Sequence, residues 1–184
     1  MTNRLFVALD IPAEVREFII GIRDEIYGFD PNIRWEGIEK LHLTLKFLGD
    51  VEESGNVAII DSLKSISEKF SGIQLSLFRF GLFYRDNKPN ILWIGLNENE
   101  SLFNLVSDIE TNFEKLGFRK EKRRFKPHIT LLRLKGFEDL SKIKNFCEYK
   151  LDYAEFISDR ISLIKSKLTS QGSIYTQLQS FKMN

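Results

Sequence analysis

The sequence of 184 residues contains two histidines, and both stand in the same local pattern. His42 lies in LHLTLKFL and His128 lies in PHITLLRL, so each is followed two positions later by a threonine, Thr44 or Thr130. An apolar residue separates histidine from threonine in both copies, and a leucine follows each threonine. Because two unrelated core histidines give no reason for paired threonines, the repeat indicates one shared chemical task.

Each pattern predicts a β-strand that presents an imidazole and a hydroxyl on one face. Strand residues two positions apart project to the same side, so His42 points with Thr44 and His128 points with Thr130. The 86 positions from one histidine to the other match one strand–helix–strand–strand–helix unit. We therefore expect a duplicated lobe whose pseudo-twofold symmetry brings the two strands together across a cleft.

Two imidazoles and two hydroxyls suit the cleavage of a phosphodiester. The attacking oxygen must lose a proton and the departing oxygen must gain one. A neutral and a protonated imidazole, each with an ordinary pKa near ~6.5, can do both at neutral pH. Threonine hydroxyls and backbone N–H groups can hold the non-bridging oxygens as charge builds on phosphorus.

Other chemistries find less support in the sequence. A metal site needs further ligands, and Asp50 and Glu52 follow the first motif without a counterpart after the second. The single cysteine, Cys147, falls in a helix-like stretch that is expected to pack. A glycine-rich phosphate loop is also missing from the sequence. We expect neither a metal nor another cofactor.

The hydrophobic pattern predicts an α+β fold with antiparallel or mixed sheets and helices on one face. Leu41, Leu43, Leu45 and Phe47 occupy alternate positions and predict the apolar face of a strand. Helical spacing predicts three longer helices and a short one near 140–149. The first longer helix is expected to bury Val15, Phe18, Ile19, Ile22 and Ile26, and the second Val57, Ile60, Leu63, Ile66 and Phe70. The third is expected to bury Leu102, Leu105, Val106, Ile109, Phe113 and Leu116. Further strands are expected at 4–10, 73–83, 90–97, 154–168 and 173–181, with a TSQG hairpin between the last two.

Composition places the chain among ordinary globular proteins. With 42% hydrophobic and 29% charged residues, global disorder is excluded. No window approaches the ~18 apolar residues of a membrane span, and Leu5–Leu9 is too short for a signal-peptide core. We expect a soluble, cytoplasmic protein. The net charge is +1, yet Arg119–Lys126 carries six basic residues and one acidic residue, which indicates either an anionic partner or a solvated loop.

These residues resemble the two-histidine (2H) phosphoesterases, whose signature is a pair of H-x-T motifs eighty to ninety residues apart. The chain is most similar to the LigT-type RNA 2′,3′-cyclic phosphodiesterases, once described as 2′-5′ RNA ligases. The resemblance covers nearly the whole chain, through RLFVALDIP, LHLTLKFLG, ILWIGL, FKPHITLLR and SKLTSQGSIYTQL.

The resemblance implies a single domain over residues 1–184, made of two intertwined lobes that each carry one H-x-T strand around a central cleft. It implies hydrolysis of an RNA-terminal 2′,3′-cyclic phosphate to a 2′-phosphate without a metal, and ligation as a possible reverse reaction. Carried over, His42 donates a proton, His128 accepts one, and Thr44 and Thr130 bind the phosphate.

Further substrate contacts are expected around these four residues. Arg133 follows the second motif, on the face opposite His128 if that strand is regular, although its analogue in the family helps to shape the site. Arg124 and Lys126 belong to the basic segment that runs into that motif and could contact RNA phosphates. Arg85 and Tyr175 are candidates for stacking on the terminal base.

The sequence leaves the substrate and the partner open. RNA with a cyclic phosphate end, such as a tRNA fragment, or a small cyclic nucleotide would fit, and a monomer is expected. A phosphodiesterase acting on 2′-5′ oligoadenylates or nucleotide-sugar cyclic phosphates is an alternative. A non-catalytic RNA- or nucleotide-binding module is another, although binding alone needs no matched proton carriers.

Overall fold

The computed structural model describes residues 2–152, 154–170 and 172–184. Within these residues the chain forms eight strands and four α-helices. The strands are β1 (Thr2–Asp10), β2 (His42–Glu52), β3 (Ile73–Arg85), β4 (Lys88–Leu96), β5 (His128–Arg133), β6 (Glu155–Ser158), β7 (Arg160–Thr169) and β8 (Gly172–Lys182). The helices are α1 (Ala13–Tyr27), α2 (Asn56–Ser67), α3 (Glu100–Lys115) and α4 (Leu140–Glu148), with 3-10 turns at Ile38–Lys40 and Glu53–Gly55.

All the strand pairs are antiparallel, and the strands follow the order β6-β3-β4-β5-β2-β1-β7-β8. The order divides between β5 and β2 into two groups of four, and each group contains one histidine motif. The predicted α+β architecture with two lobes is thus confirmed, with the lobes joined edge to edge. We call β2-β1-β7-β8 the His42 lobe and β5-β4-β3-β6 the His128 lobe.

The two lobes repeat one supersecondary unit. In the His42 lobe β1 leads through α1 to β2, and in the His128 lobe β4 leads through α3 to β5. Gly28 and Gly117 follow these two helices with φ of 76° and 90°, a conformation that glycine adopts without strain. The chain then exchanges strands, because β7 and β8 come last in sequence and complete the His42 lobe.

One extensive apolar core lies on the helix side of the sheet. Its most enclosed side chains come from helices and strands of both lobes, and they include Leu5, Leu9, Ile19, Leu43, Leu63, Leu92, Ile94, Leu102, Phe113 and Phe146. A second, small cluster lies on the other side of the His42 lobe, where Phe6, Ala8 and Ile164 pack with Tyr175. This second side carries both histidines.

Several sequence-based details were wrong. Val57 is 66% exposed, because α2 buries the side that carries Ile59 instead. The strand predicted over 154–168 is two strands, β6 and β7, which pair with different neighbours. The predicted TSQG hairpin does join β7 to β8, with Thr169 opposite Gly172, although Gln171 lies outside the described residues.

Candidate active site

The two histidine strands meet where the two lobes join. β2 and β5 pair through one register position, with Leu43 opposite Ile129. Both residues are the apolar middle of a His-x-Thr motif, so the pseudo-twofold axis passes between them. Because the two strands are antiparallel, the residue before Leu43 faces the residue after Ile129, and the residue after Leu43 faces the residue before Ile129. His42 therefore lies across from Thr130, and His128 lies across from Thr44.

This register brings the predicted catalytic groups together. His42 and His128 are diagonal neighbours, and Cβ atoms in that relation lie at most about 7–8 Å apart, within the span of one phosphate held between two rings. Proximity also shows in the electrostatics, because His128 contributes to lowering the pKa of His42.

Each imidazole is oriented by the backbone two residues before it. The Nδ1 of His128 lies 2.7 Å from the carbonyl oxygen of Lys126, and the ring of His42 is hydrogen-bonded to the backbone of Lys40. The Nε2 of His42 lies 3.1 Å from the Thr44 hydroxyl. A carbonyl accepts only, so Nδ1 of His128 carries the proton and its Nε2 is the free acceptor in the neutral ring.

Aromatic side chains surround both rings. His42 stacks on Phe6 with ring centroids 5.0 Å apart, and the edge of Tyr175 lies 5.5 Å away. His128 meets Phe83 edge to face at 4.8 Å and lies 6.3 Å from Trp93. These contacts fix the rings and exclude water from their sides.

Burial disfavours the protonated form of both histidines. It lowers the pKa of His42 from 6.5 to about 4, with smaller contributions from Arg133 and His128, while the hydrogen bond to Lys40 opposes the change. Burial also lowers the pKa of His128, with Arg133 acting in the same direction and the carbonyl of Lys126 opposing both. Both rings are therefore neutral at pH 7 in the free protein.

A β-bulge follows the threonine of each motif. Between β1 and β2 the register passes from Ala8–Thr44 to Val7–Lys46, which leaves Leu45 as an extra residue. Between β4 and β5 it passes from Trp93–Thr130 to Leu92–Leu132, which leaves Leu131 as an extra residue. A bulge reverses the alternation beyond it, so the residue five positions after each histidine returns to the histidine face.

The bulges correct two expectations. The expected apolar face of β2 ends at Leu45, because Phe47 turns to the histidine side, where it is 72% exposed and its ring lies 6.0 Å from that of Phe6. Arg133 lies on the same face as His128, because β5 is not regular. Its guanidinium contributes to lowering the pKa of both histidines, as a cation facing them would.

Tyr175 and Arg133 meet near the histidines, although they belong to different lobes. Burial raises the pKa of the Tyr175 phenol, Glu36 acts in the same direction, and a hydrogen bond from Arg133 opposes both. Glu36 is a residue that the sequence interpretation missed. It precedes β2, and its carboxylate Oε1 lies 3.3 Å from Nε of Arg133.

The other predicted contacts lie outside this group. Arg85 lies at the β3–β4 turn, opposite Lys88 and two residues beyond Phe83, whose ring meets that of His128. Its Nε lies 4.0 Å from the carboxylate of Asp86. Arg124 forms an ion pair with Glu98. Lys126 contributes its backbone carbonyl, which holds the His128 ring.

The basic segment Arg119–Lys126 is partly neutralised and firmly attached. Arg123 pairs with Glu121 at 2.9 Å. At the base of the segment the buried Lys46 ammonium contacts Glu110 at 2.6 Å and donates to the carbonyl of Arg119 at 2.9 Å. The segment is therefore a fixed loop beside β2, with less net charge than its sequence indicates.

Two features of the described residues are the grouping of potential metal-ligand side chains and the character of the helices. Over residues 2–152, 154–170 and 172–184, no three His, Cys, Asp or Glu side chains come together as metal ligands would. Within those same ranges, none of the helices has the length and apolar character to cross a membrane.

The LigT like Phosphoesterase family matches the chain twice, over residues 9–93 and again over residues 94–175. The chain belongs to this family. Each match contains one His-x-Thr motif, in agreement with the structural repeat of the two lobes. The predicted recognition of a 2H phosphoesterase is confirmed.

Similar curated proteins extend over the full length of the chain. The RNA 2′,3′-cyclic phosphodiesterase of Methanocaldococcus jannaschii is 35% identical over 97% of this chain and 99% of its own length. The protein of the same name from Aquifex aeolicus is 31% identical over 97% and 96%. Among solved structures, Escherichia coli LigT complexed with 3′-AMP matches with a TM-score of 0.78 and 27% identity, covering 100% of this chain and 99% of that one. A Thermus thermophilus protein, 24% identical with a TM-score of 0.80, shares the fold over 98% of this chain and 97% of its own.

Proposed function

We propose that this chain hydrolyses the 2′,3′-cyclic phosphate at an RNA end and leaves a 2′-phosphate. The observation that carries the proposal is the convergence of two imidazoles, each hydrogen-bonded to the backbone two residues before it, on one small region between the lobes. The names of the full-length relatives support the same activity. Binding of 3′-AMP by the similarly folded E. coli protein supports a nucleoside phosphate as ligand.

In this proposal His128 is the general base and His42 is the general acid. Nε2 of His128 takes a proton from water, whose oxygen forms a bond to phosphorus. The bond from phosphorus to the 3′ oxygen breaks, and His42 gives that oxygen a proton from Nε2. The 2′ oxygen keeps the phosphate, and the proton held by His128 returns to His42 through solvent before the next cycle.

Binding of the anionic substrate must cause His42 to take up a proton from solvent. In the free protein burial holds the pKa of His42 at about 4, so that the ring lacks the proton a general acid needs. A phosphodiester anion between the two rings favours the imidazolium form and raises this pKa. The Thr44 hydroxyl, now 3.1 Å from Nε2 of His42, would then turn to the phosphate.

Phosphate oxygens would be bound by Thr44, Thr130 and Arg133. The two hydroxyls flank the axis between the lobes, and the guanidinium of Arg133 faces both histidines. Once Thr44 has turned from His42 to the phosphate, these groups can stabilise the charge that develops on the oxygens.

The terminal base would stack on Phe47. This ring is exposed on the histidine face, in contact with Phe6, and it occupies the position in the His42 lobe that Arg133 occupies in the other. Base stacking on an aromatic ring needs no sequence readout. Arg124, Lys126 and Arg85 lie farther along the surface and would contact only a longer RNA, and Tyr175 would line the site beside His42.

The test is incubation of an RNA oligonucleotide ending in a 2′,3′-cyclic phosphate, in EDTA, with the product ribose analysed for the position of the phosphate. A 2′-phosphate is expected, and neither His42→Ala nor His128→Ala should form it. Binding without product would favour a binding module. Small cyclic nucleotides, 2′-5′ oligoadenylates and nucleotide-sugar cyclic phosphates, run in parallel, identify the substrate class.

Metal independence, reverse ligation, a monomeric state and a cytoplasmic location belong to the same proposal. Unchanged turnover in EDTA supports the first. Ligation is tested by adding an RNA with a free 5′-hydroxyl and looking for a 2′-5′ linkage. The single cysteine supports a reducing compartment.

A further inference from the structure

The connection between α1 and β2 leaves its own lobe and crosses the other one. Trp35 forms an isolated antiparallel bridge with Leu132, and the backbone N–H of Glu36 donates to the carbonyl of Leu131 at 2.8 Å. Leu131 is the extra residue of the β5 bulge. A segment of the His42 lobe thus caps the bulge that turns Arg133 toward the histidines.

Trp35 anchors this crossing firmly. Its ring contacts Tyr27 at 5.3 Å and Phe146 at 5.8 Å, and the Arg23 guanidinium lies 5.6 Å from the ring centroid. The backbone at Glu36 is therefore fixed independently of the Glu36 side chain, and a substitution at position 36 leaves these contacts in place.

The Glu36 carboxylate forms an ion pair with the Arg133 guanidinium. Oε1 lies 3.3 Å from Nε, and the Glu36 side chain is 15% exposed while that of Arg133 is 50% exposed. An arginine presents five N–H groups, and Arg133 also donates to the Tyr175 phenol, so the remaining N–H groups are the ones available to a further partner. Phosphate oxygens are strong acceptors for such guanidinium N–H groups.

We propose that Glu36 is a positioning residue for Arg133, which it holds beside Nε so that the guanidinium N–H groups not bonded to Tyr175 face the reacting phosphate. A free arginine would lose the entropy of several side-chain torsions on binding, and a pre-held arginine has already lost it. The Glu36 carboxylate itself repels an anionic substrate. We therefore expect it to stabilise the transition state through Arg133 rather than to strengthen substrate binding. This inference rests on the proposed cyclic phosphodiesterase function.

The test is a double-mutant cycle with steady-state kinetics on the cyclic-phosphate RNA. Glu36→Ala should lower kcat about tenfold while KM stays the same or falls, because positioning is lost together with the repulsion. Arg133→Ala should lower kcat/KM more strongly and raise KM. Glu36→Gln retains an oxygen that accepts from Nε and should restore most of kcat.

The cycle separates action through Arg133 from a general structural effect. If Glu36 acts through Arg133, Glu36→Ala adds nothing when Arg133 is already alanine. An equal loss in both backgrounds, a rise in KM without loss of kcat, or full activity of Glu36→Ala overturns the inference while the proposed function stands. An inactive wild-type protein on every cyclic phosphate overturns the proposed function, and the inference with it.

Discussion

The two lobes provide the same support for a histidine and different surroundings for it. In both, the histidine starts a strand, its threonine precedes a bulge, and its ring is hydrogen-bonded to the backbone two residues earlier. The environments differ in the aromatic partners, Phe6 and Tyr175 against Phe83 and Trp93. They differ most at the fifth position after the histidine, which is Phe47 in one lobe and Arg133 in the other.

This difference shows how a duplicated scaffold acts on an unsymmetrical substrate. The repeated parts place two proton carriers, and a phosphodiester needs two. The unequal fifth positions give one end of the cleft an apolar ring and the other a cation. A nucleoside phosphate has a base at one end and an anion at the other, so that we expect it to bind in one direction only.

Removing either proton carrier should have the largest effect. We expect His42→Ala and His128→Ala each to lower kcat about 10³-fold, because each leaves one proton transfer without its carrier. The measurement is single-turnover cleavage of the cyclic-phosphate RNA. Circular dichroism of both variants establishes that the fold is kept, and near-normal cleavage by either would contradict the acid–base pair.

Making the two lobes alike at the fifth position should come next. Arg133→Phe gives both strands the same residue, and we expect kcat/KM to fall about 100-fold because the cation near the phosphate is lost. Arg133→Lys is the matched variant and should lose less, since it retains the charge without the paired geometry. A fully active phenylalanine variant would mean that the asymmetry has no role in the reaction.

Removing the exposed ring of Phe47 should have a smaller effect on KM, and the size of that effect should depend on whether the substrate carries a base. Phe47→Ala should raise KM about tenfold for a nucleoside 2′,3′-cyclic phosphate, which corresponds to the loss of one stacked base. It should leave an abasic ribose cyclic phosphate unaffected. Phe29→Ala, which removes an even more exposed ring after α1, is the control. Equal losses on both substrates would argue against stacking.

The pH dependence of stability should also differ between the wild type and a His42 variant. Above pH ~6.5 His42 is neutral in both the folded and unfolded chain. Between pH 6.5 and about 4 only the unfolded chain takes the proton, so the free energy of unfolding falls as the pH falls. From pH 7 to pH 5 this contributes at most about 2 kcal/mol. His42→Gln should unfold in urea with a correspondingly shallower pH slope, and parallel slopes would refute the burial of His42.

Part of the site follows from the sequence, and part depends on long-range pairing. The histidine–threonine repeat predicted the four central residues, because a spacing of two decides which side chains share a strand face. The bulges escaped detection, since Leu45 and Lys46, or Leu131 and Leu132, contain nothing that marks an extra residue. Phe47 was therefore assigned to the wrong face. Glu36 was missed because its partner is 97 positions away, beyond the reach of any local pattern.

The position of Trp93 offers the finest test of the His128 lobe. A Cβ at Gly81 would collide with the Trp93 ring, and a Cβ at Gly95 would come within 2.9 Å of it, so the indole lies against two glycines. We expect Gly81→Ala to cost about 1–3 kcal/mol of stability by displacing the ring that borders His128. Gly21→Ala, in open space on α1, should instead stabilise the protein by about 0.5–1 kcal/mol. Similar melting temperatures for both would argue against this packing.

The exchange of strands has a consequence for any attempt to divide the protein. A polypeptide ending after β2 would keep β1 with one side unpaired, because its other neighbour, β7, is made last. The unpaired edge of β1 would promote association with other chains until the β7–β8 hairpin had been synthesised and had paired with it. The His42 lobe is therefore expected to close only after β7 and β8, the last two strands of the chain, have been synthesised.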